Sequence, residues 1–188
     1  MRVLDMCTEF ASETAAFKAR GHEVITLGID GNVNIKCDIR QYYPSVDEKY
    51  DFIICHPPCT ELSIANYRLG DCKNRNPDMS IVDACLRIIE TLKPTYWMME
   101  NPRGCLRHKI GMPTITIKYG DYGHYSQKPT DLWGEFPWFW SSEIDTHIKG
   151  FAGWSPYSSG TRKPQERALI PYGLSLAICK AIENDMKT

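Results

Sequence analysis

The residues best equipped for chemistry are Cys59 and Glu100. Cys59 lies in the run Ile54-Cys55-His56-Pro57-Pro58-Cys59-Thr60-Glu61-Leu62-Ser63, where a short apolar segment, residues 52–55, gives way to two prolines. The prolines fix two φ angles and supply no backbone donor, so the loop is held in one shape that continues neither as sheet nor as helix. A thiol delivered in this way can act on a ligand; the alternative is a small side chain buried after a strand. Glu100 stands in Tyr96-Trp97-Met98-Met99-Glu100-Asn101-Pro102, a second apolar run that ends on polar side chains with proline immediately after. Tyr96 and Trp97 are expected to desolvate its carboxyl in part and raise its pKa, giving a proton donor near neutral pH; the alternative is a solvated strand end. Cys55, His56 and Cys59 are metal-ligand types, but no second cluster with zinc-like spacing completes a tetrahedral set, and no metal is expected.

Two such residues meet only if neighbouring strands carry them to one edge. Residues 2–6 form an apolar strand; the alanine-rich stretch 11–20, with Phe17 on one face, predicts a helix that Gly21 stops. A second strand over 23–28 ends at Ile29-Asp30, where nucleotide-binding sheets hold a ribose diol, so Asp30 is the ribose candidate. A third strand over 34–37 leads into Asp38-Ile39, and a Tyr/Pro/Asp loop then reaches the strand that feeds Cys59. This alternation predicts an α/β fold with a mostly parallel sheet covered on both faces, in which ligands sit beyond the carboxyl ends of the strands. Residues 66–77 read as a flexible flap over that site, and 79–92 as a core-facing helix stopped before Pro94. Residues 114–119 and 128–133 read as an antiparallel pair closing one edge of the sheet. Residues 134–161, with Trp138, Phe139, Trp140, Phe151 and Trp154, read as an aromatic lid or an interaction surface, and 168–184 as a closing amphipathic helix.

With 188 residues, 43% of them hydrophobic, the chain can bury one substantial core, and a single domain over 1–188 is expected. It opens directly into a strand with no charged-then-apolar leader, and no segment has the length that spans a bilayer, so a soluble cytoplasmic protein is expected. Its eight cysteines are scattered through apolar segments and fit reduced core thiols better than a disulfide scaffold. A net charge of −1 argues against extensive gripping of duplex phosphates. Two local basic clusters, Arg103/Arg107/His108/Lys109 and Arg162/Lys163/Arg167, decide nothing alone.

Taken in order, these segments resemble the DNA cytosine-5 methyltransferase family, and in particular its short phage-type members, which implies a Rossmann-like fold. Asp5-Met6-Cys7-Thr8-Glu9-Phe10-Ala11-Ser12 stands where that family has its first, glycine-containing cofactor motif, with Ile29-Asp30 and Asp38-Ile39 at the next two. Pro57-Pro58-Cys59 is similar to the catalytic Pro-Cys element and Glu100-Asn101 to the Glu-Asn element. Residues 119–133, with Tyr122-Gly123, Gln127, Lys128 and Thr130, resemble the Tyr-Gly…Gln-Arg element, and 173–182 the cofactor-side helix. Glu9, Ala11 and Ser12 occupy positions where the family generally uses glycine, Pro129 and Asp131 positions where it uses arginine. Residues 134–161 are all that stands in place of a target-recognition region, which implies that sequence specificity is low or comes from elsewhere.

The resemblance implies that the Cys59 thiolate adds to C6 of cytosine while Glu100 protonates or hydrogen-bonds N3, so that C5 accepts a methyl group from S-adenosylmethionine. Asp30 would bind the cofactor ribose and Asp38 the adenine amine; Asp5, Cys7, Thr8, Glu9, Phe10 and Ser175 would line the methionine side, with Ile39 and Pro58 also on the cofactor. Ser63, Asn101, Gln127, Lys128 and Thr130 would contact substrate, and the aromatic turn 119–125 would offer a stacking wall. The partner implied is DNA, single-stranded or with a flipped cytosine, with a targeting protein as a further partner, in the host cytoplasm if phage-encoded. Two other readings remain at this level: the same chemistry on RNA or a free nucleotide, and a catalytically silent protein that binds a nucleic acid or a partner.

Overall fold

The computed structural model describes residues 1–8, 10–66, 70–124, 126–139 and 169–188. Seven strands form one sheet: β1 (Arg2–Met6), β2 (Glu23–Gly28), β3 (Ile35–Lys36), β4 (Phe52–Cys55), β5 (Tyr96–Pro102), β6 (Ile115–Lys118) and β7 (Pro129–Glu135). Their order is β3-β2-β1-β4-β5-β7-β6. The first five run parallel, and β7 is antiparallel to both β5 and β6, the expected edge pair.

Period-two alternation sends successive apolar residues to opposite faces. Val3, Phe52, Ile54, Met98 and Leu132 pack beneath helices α1 (Ala15–Ala19) and α4 (Tyr172–Asp185). Leu4, Met6, Ile53, Cys55 and Met99 pack against α2 (Ser80–Leu92) on the other face. Both faces of the central strands are therefore buried, as a near-continuous apolar run requires. A short helix, α3 (Leu106–Lys109), follows β5.

Several bounds differ from expectation, the first two because a side chain takes over a backbone group. The first helix begins only at Ala15: Thr8 Oγ1 accepts the Ala11 N–H at 2.8 Å, and Ala11 sits at φ +50° outside the helix. β3 is short because Asn34 turns aside, its Oδ1 accepting from Thr26 N and Oγ1 at 2.9 and 2.8 Å. The last helix begins after Pro171, whose fixed φ suits a helix start. Of the 134–161 segment, residues 134–139 are described: Phe139 is buried in the core and Trp138 is exposed. Trp140, Phe151, Trp154, Arg162, Lys163, Arg167 and Ala168 lie outside the described residues. Among the described residues no helix is long and apolar enough to cross a membrane.

Candidate active site

Register sets the site. Met6, Cys55 and Met99 lie side by side on β1, β4 and β5, and the His56 N–H continues the ladder to the Met6 carbonyl at 3.1 Å. His56 and Glu100, one residue further on their strands, therefore stand level at the carboxyl edge, with side chains on the opposite face from Cys55 and Met99. His56 Nδ1 lies 3.3 Å from Glu100 Oε2, and Tyr119 Oη donates to Glu100 Oε1 at 2.8 Å. The loop beyond is fixed from below: Asn101 Nδ2 donates to the Pro57 carbonyl at 2.8 Å, so the Glu-Asn pair holds the Pro-Pro-Cys turn through its own next residue.

Cys59 is exposed on that turn and opens with Glu100 and Lys128 on one cavity of about 430 Å³, lined also by Glu13, His56 and Ile170. A second cavity of about 240 Å³ lies beside it, carrying Asp30, Asp38 and Ile39 between Leu27, Ile29 and Ile81. Cys7, Thr8 and Pro58 line both and form the shared wall. Phe10 lines the first cavity.

Electrostatics correct the expectation for Glu100. Burial pushes its pKa up, but the His56 hydrogen bond, the Lys128 charge, the His56 charge and the Tyr119 hydroxyl outweigh burial and leave it lowered. Tyr96 and Trp97 take no part: they pair with Phe52 and Ile53 at the far end of β5, and Tyr96 Oη donates to Asp185 at 2.5 Å. Burial alone would depress His56, but Glu13, Glu100 and Asp5 lift it to about 9. The Cys59 thiol is pushed up by burial and by Glu100, against Lys128. The resting pair is thus a thiol beside a carboxylate.

Not every residue named from the sequence reaches a cavity. Asp5 is fully buried, accepts the Thr14 hydroxyl at 2.6 Å and touches the site only through Glu13 and His56. Ser175 is fully buried, and its Oγ accepts the Ala16 N–H at 3.1 Å, so it fastens α1 to α4. Ser63 sits in an isolated bridge to Gly104, where a Cβ would come 1.9 Å from the Leu62 carbonyl; bare backbone lets the Cys59 and Glu100 loops meet there. Asn101 and Thr130 are fully buried within the scaffold, and Gln127 is exposed, its side chain lying across Gly120. Asp38 lines its cavity with its carboxylate already held by Arg40 through contacts of 2.5 to 3.1 Å. Glu9 and Tyr125 lie outside the described residues.

Of the stacking wall expected over 119–125, Tyr119 and Tyr122 are buried, and Tyr119 serves Glu100; Tyr125 lies outside the described residues. Of the flap expected over 66–77, the described residues, 66 and 70–77, line neither cavity. Arg75 there donates to four carbonyls, those of Glu61, Ser63, Asn66 and Gly70, at 2.6 to 3.0 Å, so among the described residues this segment is a strapped loop. Arg107 is spent on the buried Asp131, and Asp131 is structural. Cys55, His56 and Cys59 do not converge: the Cys55 thiol bonds the Met98 carbonyl in the core and His56 faces carboxylates. Sequence reasoning missed Glu13 and Tyr119 as partners of the site. The register of β4 and β5 was the available signal for His56, because it sets that residue level with Glu100.

A sequence profile of the family described as C-5 cytosine-specific DNA methylase matches residues 29–129, more than half of the 188. The chain belongs to that family. The matched stretch includes the second cavity's acids, Cys59, Glu100 and Lys128. Among related proteins, the Type II methyltransferase M2.ScrFI of Lactococcus lactis subsp. cremoris is 32% identical over 115 residues, 60% of this chain and 32% of that protein. A crystal structure described as a DNA modification methyltransferase encoded within an E. coli prophage superposes with a TM-score of 0.54 at 17% identity, over 72% of this chain and 46% of the other. The methylase-family chain thus spans about a third of the curated relative and under half of the structural one. The structural likeness carries the fold, an α/β Rossmann-like sheet.

Proposed function

We propose that the chain is a single-domain S-adenosylmethionine-dependent methyltransferase acting on C5 of cytosine in DNA, in the cytoplasm of the cell that holds that DNA. One observation carries this reading: Cys59 and Glu100 open on the same cavity, and that cavity shares a wall with one bearing Asp30 and Asp38. The residues present fit the cofactor. The second cavity has apolar sides for a flat base and an acid at the end of β2 for a diol. Its floor admits backbone only, since a Cβ on Gly28 would lie 2.4 Å from the Thr8 carbonyl. When bound, S-adenosylmethionine supplies an electrophilic methyl group.

The chain's own residues prepare the base. The Glu100 carboxylate takes up the Cys59 proton and passes a proton to N3 as Cys59 Sγ bonds to C6; the electron pair is then available at C5. Lys128 favours both the thiolate and the carboxylate. Loss of the C5 proton breaks the S–C6 bond, the thiolate leaves, and N3 returns its proton to Glu100, which restores the ring. A cytosine inside a duplex cannot reach this cavity, so the substrate is a flipped or single-stranded base. Transfer of labelled methyl to duplex DNA, single strands, RNA and dCMP tests the proposal. DNA should be labelled, with Cys59→Ser lowering the rate by at least about 10³-fold; labelling of dCMP or RNA in preference to DNA, or undiminished transfer by Cys59→Ser, contradicts it. The net charge of −1 favours the single-stranded arm over duplex.

A further inference from the structure

Immediately before the two prolines stands an imidazole whose two nitrogens face two acids from different parts of the fold. His56 Nδ1 lies 3.3 Å from Glu100 Oε2, and Nε2 lies 3.5 Å from Glu13 Oε1. The side chains are about a tenth exposed or less: 10% for His56, 9% for Glu100 and 7% for Glu13. Nε2 itself is sealed from solvent with no hydrogen-bond partner, as is Asp5 Oδ1. Glu13 belongs to the turn that follows β1 and Glu100 lies within β5, and both line the first cavity.

Two carboxylates buried on one cavity repel, and each is otherwise held by a neutral hydroxyl, Ser12 Oγ donating to Glu13 Oε2 and Tyr119 Oη to Glu100 Oε1, both at 2.8 Å, so a cation between them opposes their separation. We propose that His56, as an imidazolium bridging Glu13 and Glu100, is a positioning residue that fixes the Glu100 carboxyl toward the base and couples it to the cofactor-side turn. The inference rests on the methyl-transfer reading above. The groups facing His56 are Asp5 on β1, Cys7 just after it, Glu13 before α1 and Glu100 on β5. Beyond Glu100 come Tyr119, which donates to its other oxygen, and Lys128. Three acids against one imidazole hold its proton well past neutrality, so the bridge is intact under ordinary conditions and opens only in alkali. A neutral ring keeps one N–H, so with the proton gone His56 can serve Glu100 or Glu13 but no longer both, and the two acids are uncoupled. The bridge is complete on the Glu100 side and long on the Glu13 side, so movement of the Glu13 turn is felt at Glu100 through a single ring.

The test uses the full chain with S-adenosylmethionine and cytosine-containing DNA. His56→Gln should lower kcat by about 10- to 100-fold with KM for cofactor and DNA changed less than about threefold. It should also lack the alkaline fall of kcat expected of the wild type near pH 9. Glu13→Gln, which keeps the imidazole, should move that fall toward neutral pH by about one unit or more. The His56 ring signal, followed by NMR in the free protein, should move with it. If His56→Gln does not fold, the Glu13→Gln pair of readouts carries the test. A His56→Gln enzyme with wild-type kcat and pH profile, or a ring titration that Glu13→Gln leaves in place, overturns the inference and leaves the methyltransferase reading standing. Wild type that transfers no methyl to any cytosine removes both, whatever the ring titration shows.

Discussion

At Glu100 two donors converge on one carboxylate, and this governs how the site responds to pH. The His56 pKa is raised in the fold, from 6.5 to about 9, so its contribution to stability is whole below about pH 6.5 and disappears as pH rises through about 9. The lowered pKa of Glu100 works the other way: its contribution is present above about pH 4.3 and is lost as pH falls through the folded value. The melting temperature should therefore peak between about pH 5 and 6.5 and decline toward pH 9, by up to about 3 kcal/mol of stability from the His56 group. Thermal unfolding across that range checks it, and in His56→Gln the alkaline decline should flatten. A wild-type Tm that is level from pH 6.5 to 9 contradicts the assigned charge state. The expectation that Tyr96 and Trp97 raise the Glu100 pKa failed because strand residues three and four positions back point to the other end of the sheet. What surrounds an acid near a strand end comes from its lateral neighbours, here His56 just past β4 and Tyr119 from the β6–β7 connection.

At the scale of elements, the strands were readable because each is an apolar run stopped by proline, glycine or acid, and these stops hold the chemistry. Residues 52–55 became β4 with the same bounds, and the two acids Asp30 and Asp38 follow β2 and β3 at one edge. Connections were far less readable, because their shape depends on bonds to distant groups. Ser175 hides under α1, Tyr119 turns inward to an acid nineteen residues earlier, and Arg75 straps residues 61–70 through four carbonyls. Nothing in a polar stretch announces that one arginine organises it. Arg75→Ala should release that strap: four carbonyls lose a charged donor, at a cost of about 2–4 kcal/mol. Amide exchange should quicken across residues 60–66, and methyl transfer should fall because Cys59 rides on the same loop. Exchange there as slow as in the wild type would show that other contacts hold the loop.

For the whole molecule, one seven-stranded sheet brings both cavities and their candidate residues to its carboxyl edge, and the family match from residue 29 to 129 covers Cys59, Glu100 and Lys128. The turn before that match is where the chain is least comfortable. Cys7 and Ala11 take φ +62° and +50°, a backbone that favours glycine, and each such residue stores about 1–2 kcal/mol. Yet Cys7 and Thr8 still form the wall common to both cavities, so the strain is borne at the junction where cofactor and base would meet. Whether that junction works is decided by the sulfur. Incubating the chain and S-adenosylmethionine with DNA carrying 5-fluorocytosine, then mapping the denaturation-resistant product by mass spectrometry, reads the step most directly. A covalent link through Cys59 that forms only with cofactor, and is missing in Cys59→Ser, is the predicted result. No adduct on duplex or single-stranded DNA, or one at another cysteine, would contradict the assignment of Cys59 as nucleophile.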